Sequence, residues 1–405
     1  MSAHITHPAR VLPVPVPRAL VALLAAMTAI GPLSIDMYLP SLGSISRSLG
    51  VPIESVQSSV AIFFVGLAAG QLVYGPLSDR LGRRGPLLFG SAIFVAGSVM
   101  SALAVSLPML LAGRLAQSLG ACACVAISRA VIRDALELQE SARLFSLLAL
   151  IGGIAPICAP SIGAALLLVA GWRGIFIVLA VFGSALAVWL WRLLPETRSE
   201  ATAERARHEH PLRAYLQLLR NPHLLGFLAA GAFNGAAMFT YIAASPSVFI
   251  DVYHRTPAQF SLLFGLNSIG LVGASQLNRL LLARYPVATV QRATVVCCLV
   301  VASWIALVAL TGLGGLPGLA TPLFFAISTV SLVQSNALAS ALAADATRAG
   351  STAALYGAAS FAAGALLAWL SGLFYDHTAR PMALTIAASF VGCALTLVWA
   401  LRRQR

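Results

Sequence analysis

Mostly apolar runs recur along the chain at residues 19–38, 56–74, 86–105, 108–132, 144–168 and 174–194, and again at 223–248, 258–280, 290–312, 318–342, 350–372 and 382–400. Each is close to the ~20 residues that carry a helix across a ~30 Å hydrocarbon layer. Between 195 and 222 the pattern breaks: four acids (Glu196, Glu200, Glu204, Glu209) alternate with Arg198, Arg205, Arg207, Arg213 and Arg220, as in a solvated linker that is partly an amphipathic surface helix. The plan is six spans, linker, six spans. It predicts an all-α integral membrane protein of two six-helix bundles, 12 transmembrane helices in all. The expected segments are an N-terminal lead-in at 1–18, bundles at 19–194 and 223–400, the linker at 195–222 and a short tail at 401–405. The first run is longer than the apolar core of a typical signal peptide and is followed by many others, so it is read as a retained helix.

Composition agrees: 59% of the 405 residues are hydrophobic and 10% charged, with a mean hydropathy of +0.88. All 26 basic residues are arginine. Without lysine the chain has no Walker-type phosphate loop, and so no ATP motor of its own. A net charge of +13 suggests nucleic acid in a soluble protein, but here its distribution speaks for topology. With the first interhelical loop outside, only Arg47, Arg173, Arg255 and Arg380 fall outside, which puts both termini in the cytoplasm. The seven histidines all lie in the termini, between apolar runs or, for His223, at the first position of one, and the six cysteines lack metal-ligand spacing. No metal, cofactor, nucleic-acid partner or enzymatic site is expected.

The densest charge lies in Gly75-Pro76-Leu77-Ser78-Asp79-Arg80-Leu81-Gly82-Arg83-Arg84, between the second and third runs. It is expected to be a tight cytoplasmic hairpin, with Gly75 and Gly82 allowing close helix approach and positive φ, and Asp79 capping a helix start or pairing with guanidinium groups. The segment 277–284 after the eighth run looks like a decayed copy of it.

Asp36 is the one carboxylate placed inside a span. An acid at depth faces a cavity, finds a cation or takes up a proton. Arg114, about six residues (roughly 9 Å) into the fourth helix, lies at similar depth and is its expected partner. Arg129, near the other end of that helix, is expected to snorkel or to pair with Asp134. Polar side chains within apolar runs are candidates for lining a substrate cavity between the bundles: Tyr38 and Gln117 in the first half, Asn234, Tyr241, Asn267, Gln334 and Asn336 in the second.

The spacing Gly-x-x-x-Asp-Arg-x-Gly-Arg-Arg resembles the signature loop of the major facilitator superfamily. Over nearly its whole length the chain is similar to the twelve-helix drug:proton antiporters of that superfamily, and most of all to the bicyclomycin and chloramphenicol resistance (Bcr/CflA) subfamily. The matching stretches are Pro32 to Pro40, Tyr74 to Arg80, Ser128 to Asp134 and Tyr241 to Pro246. The family's helix-4 motif falls on Arg114, Gln117 and Gly120. Its helix-5 antiporter motif falls on Ala159 to Ala164, with alanines where two glycines are expected; Pro156, Pro160 and Gly163 then mark a bendable, tightly packed helix. The resemblance implies a bacterial inner-membrane exporter, acting as a monomer in the lipid bilayer without cofactor, that exchanges protons for small amphipathic drugs by alternating access. Asp36 and Arg114 would serve proton coupling. Gly75, Asp79, Arg80, Gly82, Arg83, Arg84 and Asp134 would form a conformational switch in which Asp79 pairs in one of two states. Export of an amino acid or another small metabolite is the alternative.

Overall fold

The computed structural model describes residues 18–135, 138–208, 210–345 and 348–403. The N-terminal lead-in, apart from Arg18, and the last two residues of the tail lie outside them. Within them the chain is all helix: α1 (Arg18–Asp36), α2 (Leu42–Leu49), α3 (Ile53–Leu81), α4 (Arg84–Ala102), α5 (Leu107–Ala135), α6 (Leu138–Leu193), α7 (Glu200–His208), α8 (Pro211–Leu218), α9 (Pro222–Pro246), α10 (Pro257–Leu282), α11 (Val287–Thr311), α12 (Gly315–Ala344), α13 (Ala349–Leu373) and α14 (Arg380–Arg403). Among the described residues 11 helical stretches are long and apolar enough to cross a membrane. The twelfth span is inside α6, whose 56 residues break at Gly171, where φ is +66°. Only glycine takes that backbone without penalty, so Gly171 divides the helix into two spans.

In the first half α3 and α4 pack on α5, and α1 and α4 on α6; in the second half α9 is surrounded by α12, α13 and α14. The halves meet along two seams, α3 against α13 and α6 against α10. Aromatic rings fill the first seam: Phe64 of α3 lies 4.4 Å from Phe239 of α9, which lies 4.9 Å from Phe361 of α13. At the end of α3 remote from Leu81, Gln57 Nε2 donates to Ser247 Oγ at 2.6 Å, joining the halves through two fully enclosed side chains.

The charged segment departs from the expected hairpin. α3 continues through Pro76 to Leu81 and α4 begins at Arg84, so the turn is only Gly82–Arg83. Gly82, at φ +95°, makes the reversal, whereas Gly75 is helical with open space where a side chain would sit, so close approach does not require it. The helix persists because its last carbonyls are satisfied from outside. Arg198 Nη1 donates to the carbonyls of Asp79 and Arg80 at 3.2 and 2.6 Å, replacing the intrahelical donors that a helix end lacks.

Candidate functional site

Two clusters carry the polar chemistry. The first surrounds Arg114, which is fully buried. Its position follows from how α1 ends: Tyr38 N–H bonds to the Ile35 carbonyl at 3.3 Å, tightening the last turn and leaving the Ser34 carbonyl without its helical donor. Arg114 Nη1 takes that carbonyl at 2.9 Å and also donates to Gln117 Oε1 at 2.6 Å. The guanidinium lies over the rings of Phe63 (4.2 Å) and Tyr38 (4.5 Å), an arrangement in which the ring faces attract the cation. Gln117 is oriented in turn by Ser98, and Tyr38 by Ser59.

The expected Asp36–Arg114 ion pair is not formed. Arg114 uses Nη1 on Ser34 and Gln117, its Nε and Nη2 are buried without hydrogen-bond partners, and among the described residues the Asp36 carboxyl makes neither hydrogen bond nor ion pair. Arg114 lies beside the last turn of α1, but the carbonyl freed by the tight turn takes the arginine. Asp36 itself is 4% exposed, within electrostatic reach of Tyr241 in the other half. Tyr241 accepts from Asn267 Nδ2 at 2.7 Å and stacks on Phe264. Gly163 explains how α6 comes so close to this place: a Cβ there would overlap the carbonyl of Met37. Pro156 and Pro160 lie within the same helix.

Of the remaining cavity candidates, the structure brings Asn234 and Gln334 together, Asn234 Nδ2 donating to Val330 O at 3.2 Å and Gln334 Oε1 at 3.4 Å. Tyr38 and Gln117 are wholly buried against Arg114. Asn336 is turned elsewhere. It exchanges hydrogen bonds with Asn278, and Gln291 Nε2 donates to the Asn336 carbonyl and to Ser340 Oγ. Asn278, in the segment that looks like a decayed copy of the charged turn, thus bonds an amide of α12 rather than an arginine of its own turn.

The second cluster is the charged turn at Gly82–Arg83, the expected switch turn. Arg83, fully buried, pairs with Asp79 one helical turn back and donates from Nε to Asp134 Oδ2 at 2.8 Å; Ser78 Oγ accepts a third bond at 2.7 Å. Asp134 is thus paired by Arg83, and the Arg129 side chain is exposed. The linker residue Glu196, expected to be solvated, instead accepts from the backbone N–H groups of Arg83 (2.8 Å), Arg84 (3.2 Å), Thr197 (3.1 Å) and Arg198 (3.0 Å). A carboxylate at the start of α4 meets both unsatisfied N–H groups and the positive end of the helix dipole. Glu196 and Arg198 together clasp the two helix ends, and Arg80 Nε reaches the Ala206 carbonyl of the linker at 3.3 Å. The sequence signal for this clasp was an acid and a base two residues apart directly after a span.

Two opposed six-span halves, joined by a linker and meeting along seams that bury charged and polar side chains, define a membrane transporter rather than an enzyme. The chain belongs to the Major Facilitator Superfamily, whose family model matches residues 24–368. Among its relatives, an "Uncharacterized MFS-type transporter" of Bacillus subtilis is 33% identical over 375 residues, covering 90% of each chain. A "Bicyclomycin resistance protein homolog" of Haemophilus influenzae is 30% identical over 368 residues, covering 91% of this chain and 92% of its own. The crystal structure of a D-xylose-proton symporter superposes with a TM-score of 0.75 at 13% identity, covering 94% of this chain and 97% of its own, a likeness of fold alone. With 11 apolar membrane-length helical stretches among the described residues, the protein is a multi-pass membrane protein.

Proposed function

We propose that this transporter is a drug:proton antiporter that exports small amphipathic compounds, of the bicyclomycin or chloramphenicol kind, by alternating access. The carrying observation is Asp36: a carboxyl group 4% exposed, with no cation or hydrogen-bond donor on it among the described residues, close to the turn at residues 39–41 that touches α9 and α10 of the other half. A carboxylate left so would be costly, whereas a neutral carboxyl is tolerated, so this conformation suits the protonated acid. Loss of the proton would create a charge that draws Arg114, whose Nε and Nη2 are unsatisfied, away from the Ser34 carbonyl two residues before Asp36 in α1. Proton occupancy and the packing at the end of α1 are then linked, and α6, touching Met37 through Gly163, carries the change into the α6–α10 seam.

In this reading both termini are cytoplasmic, the bundles 19–194 and 223–400 rock against each other about the linker, and one copy of the chain suffices. The switch turn, held by Asp79, Arg83, Asp134 and Glu196, latches the cytoplasmic ends, while Gln57 and Ser247 close the outer ends. Asn234, Gln334, Tyr241 and Asn267 are the polar anchors an amphipathic substrate would meet in an otherwise apolar setting. Susceptibility of an efflux-deficient host to a drug panel, with and without the expressed chain, tests the export reading. Dissipating the proton gradient in everted vesicles should abolish drug accumulation. Gradient-independent accumulation would remove the coupling.

A further inference from the structure

On the outer flank of the first half, α4 and the second span of α6 diverge and leave an open groove of about 1010 Å³. It runs from Arg173 to Arg192; 19 residues of helix span about 28 Å, roughly the depth of the hydrocarbon layer. Its walls are Val95, Val99, Ile177, Val181 and Val188, with Ser184 the single uncharged polar side chain.

The two ends differ. Arg173 is engaged, donating to the Ala104 carbonyl at 2.9 Å and stacked over Trp172 at 4.1 Å. Arg192, next to the switch turn, is exposed and has no hydrogen-bond or ion-pair partner among the described residues. A second guanidinium lies beside it, because Arg84 Nη2 donates to the carbonyl of the preceding residue, Trp191, at 2.6 Å. The nearby acid, Glu196, has its carboxylate committed to backbone N–H groups.

We propose that this groove is a binding site for an anionic phospholipid of the leaflet adjoining the switch turn, its phosphate held by Arg192 and Arg84 and its acyl chains lying along α4 and α6. Apolar walls suit any lipid chain. Two cations at headgroup level select a negative headgroup, each arginine near the surface contributing attraction of about fivefold in affinity. A second copy of this chain would bring the same cations to the same level and be repelled. The site does not depend on the antiport reading.

The test is native mass spectrometry of the full-length protein in detergent with equimolar phosphatidylglycerol and phosphatidylcholine of matched chains. The wild type should retain phosphatidylglycerol in preference by at least about fivefold. Arg192→Gln should bring the preference down about fivefold, Arg213→Gln on the exposed linker should leave it unchanged, and Ala185→Trp, which fills the groove, should lower occupancy by both lipids. An unchanged preference in Arg192→Gln, an equal drop in Arg213→Gln, or undiminished occupancy in Ala185→Trp overturns the proposal. A dimer that disappears in Ala185→Trp would assign the groove to a second copy and overturn it as well. Melting temperatures in phosphatidylcholine alone verify that each variant is folded.

Discussion

Replacing Glu196 by alanine removes the acceptor for four backbone N–H groups, two of them at the start of α4. Hydrogen bonds to a charged group contribute about 1.5–3 kcal/mol each when buried. Glu196 is half-buried, so water can take over part of the work, and the helix-terminus contribution is about 0.3–1 kcal/mol. A net loss of about 2–3 kcal/mol from the clasped state follows, equivalent to a shift of roughly 30- to 140-fold between clasped and released conformations. Only a contact that differs between the two states can move their balance. The assay is cross-linking of Gln57→Cys with Ser247→Cys, placed in a cysteine-free background, since that pair joins the halves at the end opposite the switch turn. Because a released cytoplasmic latch favours the state open inside and closed outside, Glu196→Ala should raise the cross-linked fraction, and Glu196→Gln, which keeps a neutral acceptor, should raise it less. An unchanged fraction in Glu196→Ala would refute the idea that the clasp is specific to one state and reduce it to a static cap.

Four further changes separate roles. Gly163→Ala forces a methyl group against the Met37 carbonyl and should cost about 1–3 kcal/mol, read as a lowered melting temperature together with lost efflux. Arg114→Met fills the slot between Tyr38 and Phe63 but leaves the buried Ser34 carbonyl without its donor, so stability should fall by about 1–3 kcal/mol and drug efflux should be lost; retained efflux would exclude Arg114 from coupling. Asn336→Ala leaves Asn278 unsatisfied and should destabilise by about 1–3 kcal/mol with equal losses for every drug, whereas Asn234→Ala should change the drug profile unequally; the reverse pattern would exchange their roles.

Hydrophobic periodicity carried the helices, the six-linker-six plan and the existence of a charged turn after the second span, because each span must satisfy its backbone internally and so appears as a long apolar run. Depth along a helix was also legible, and it brought Arg114 beside the last turn of α1. Direction around the helix and local backbone geometry were not. That the last turn of α1 tightens and frees the Ser34 carbonyl depends on the packing of Tyr38 against Phe176 and Ser59, and composition has no mark for it. Asn336 read as a cavity residue because a polar group in an apolar run signals either a ligand or a partner, and the partner, Asn278, lies 58 positions away. Glu196 read as solvated because a charged linker usually is. Its role follows from the two-residue turn at Gly82–Arg83, which presents free N–H groups at the start of α4, and a carboxylate is the group that satisfies them.

The central claim is that Asp36 takes up and releases the coupling proton. Asn in its place keeps size and hydrogen-bonding capacity but cannot titrate, so the decisive comparison is proton-driven drug accumulation in everted vesicles by wild type and Asp36→Asn at matched expression, with drug binding measured in parallel on the purified proteins. Binding that persists while gradient-driven accumulation is abolished is the predicted result; accumulation by Asp36→Asn that still rises with the imposed proton gradient would contradict it.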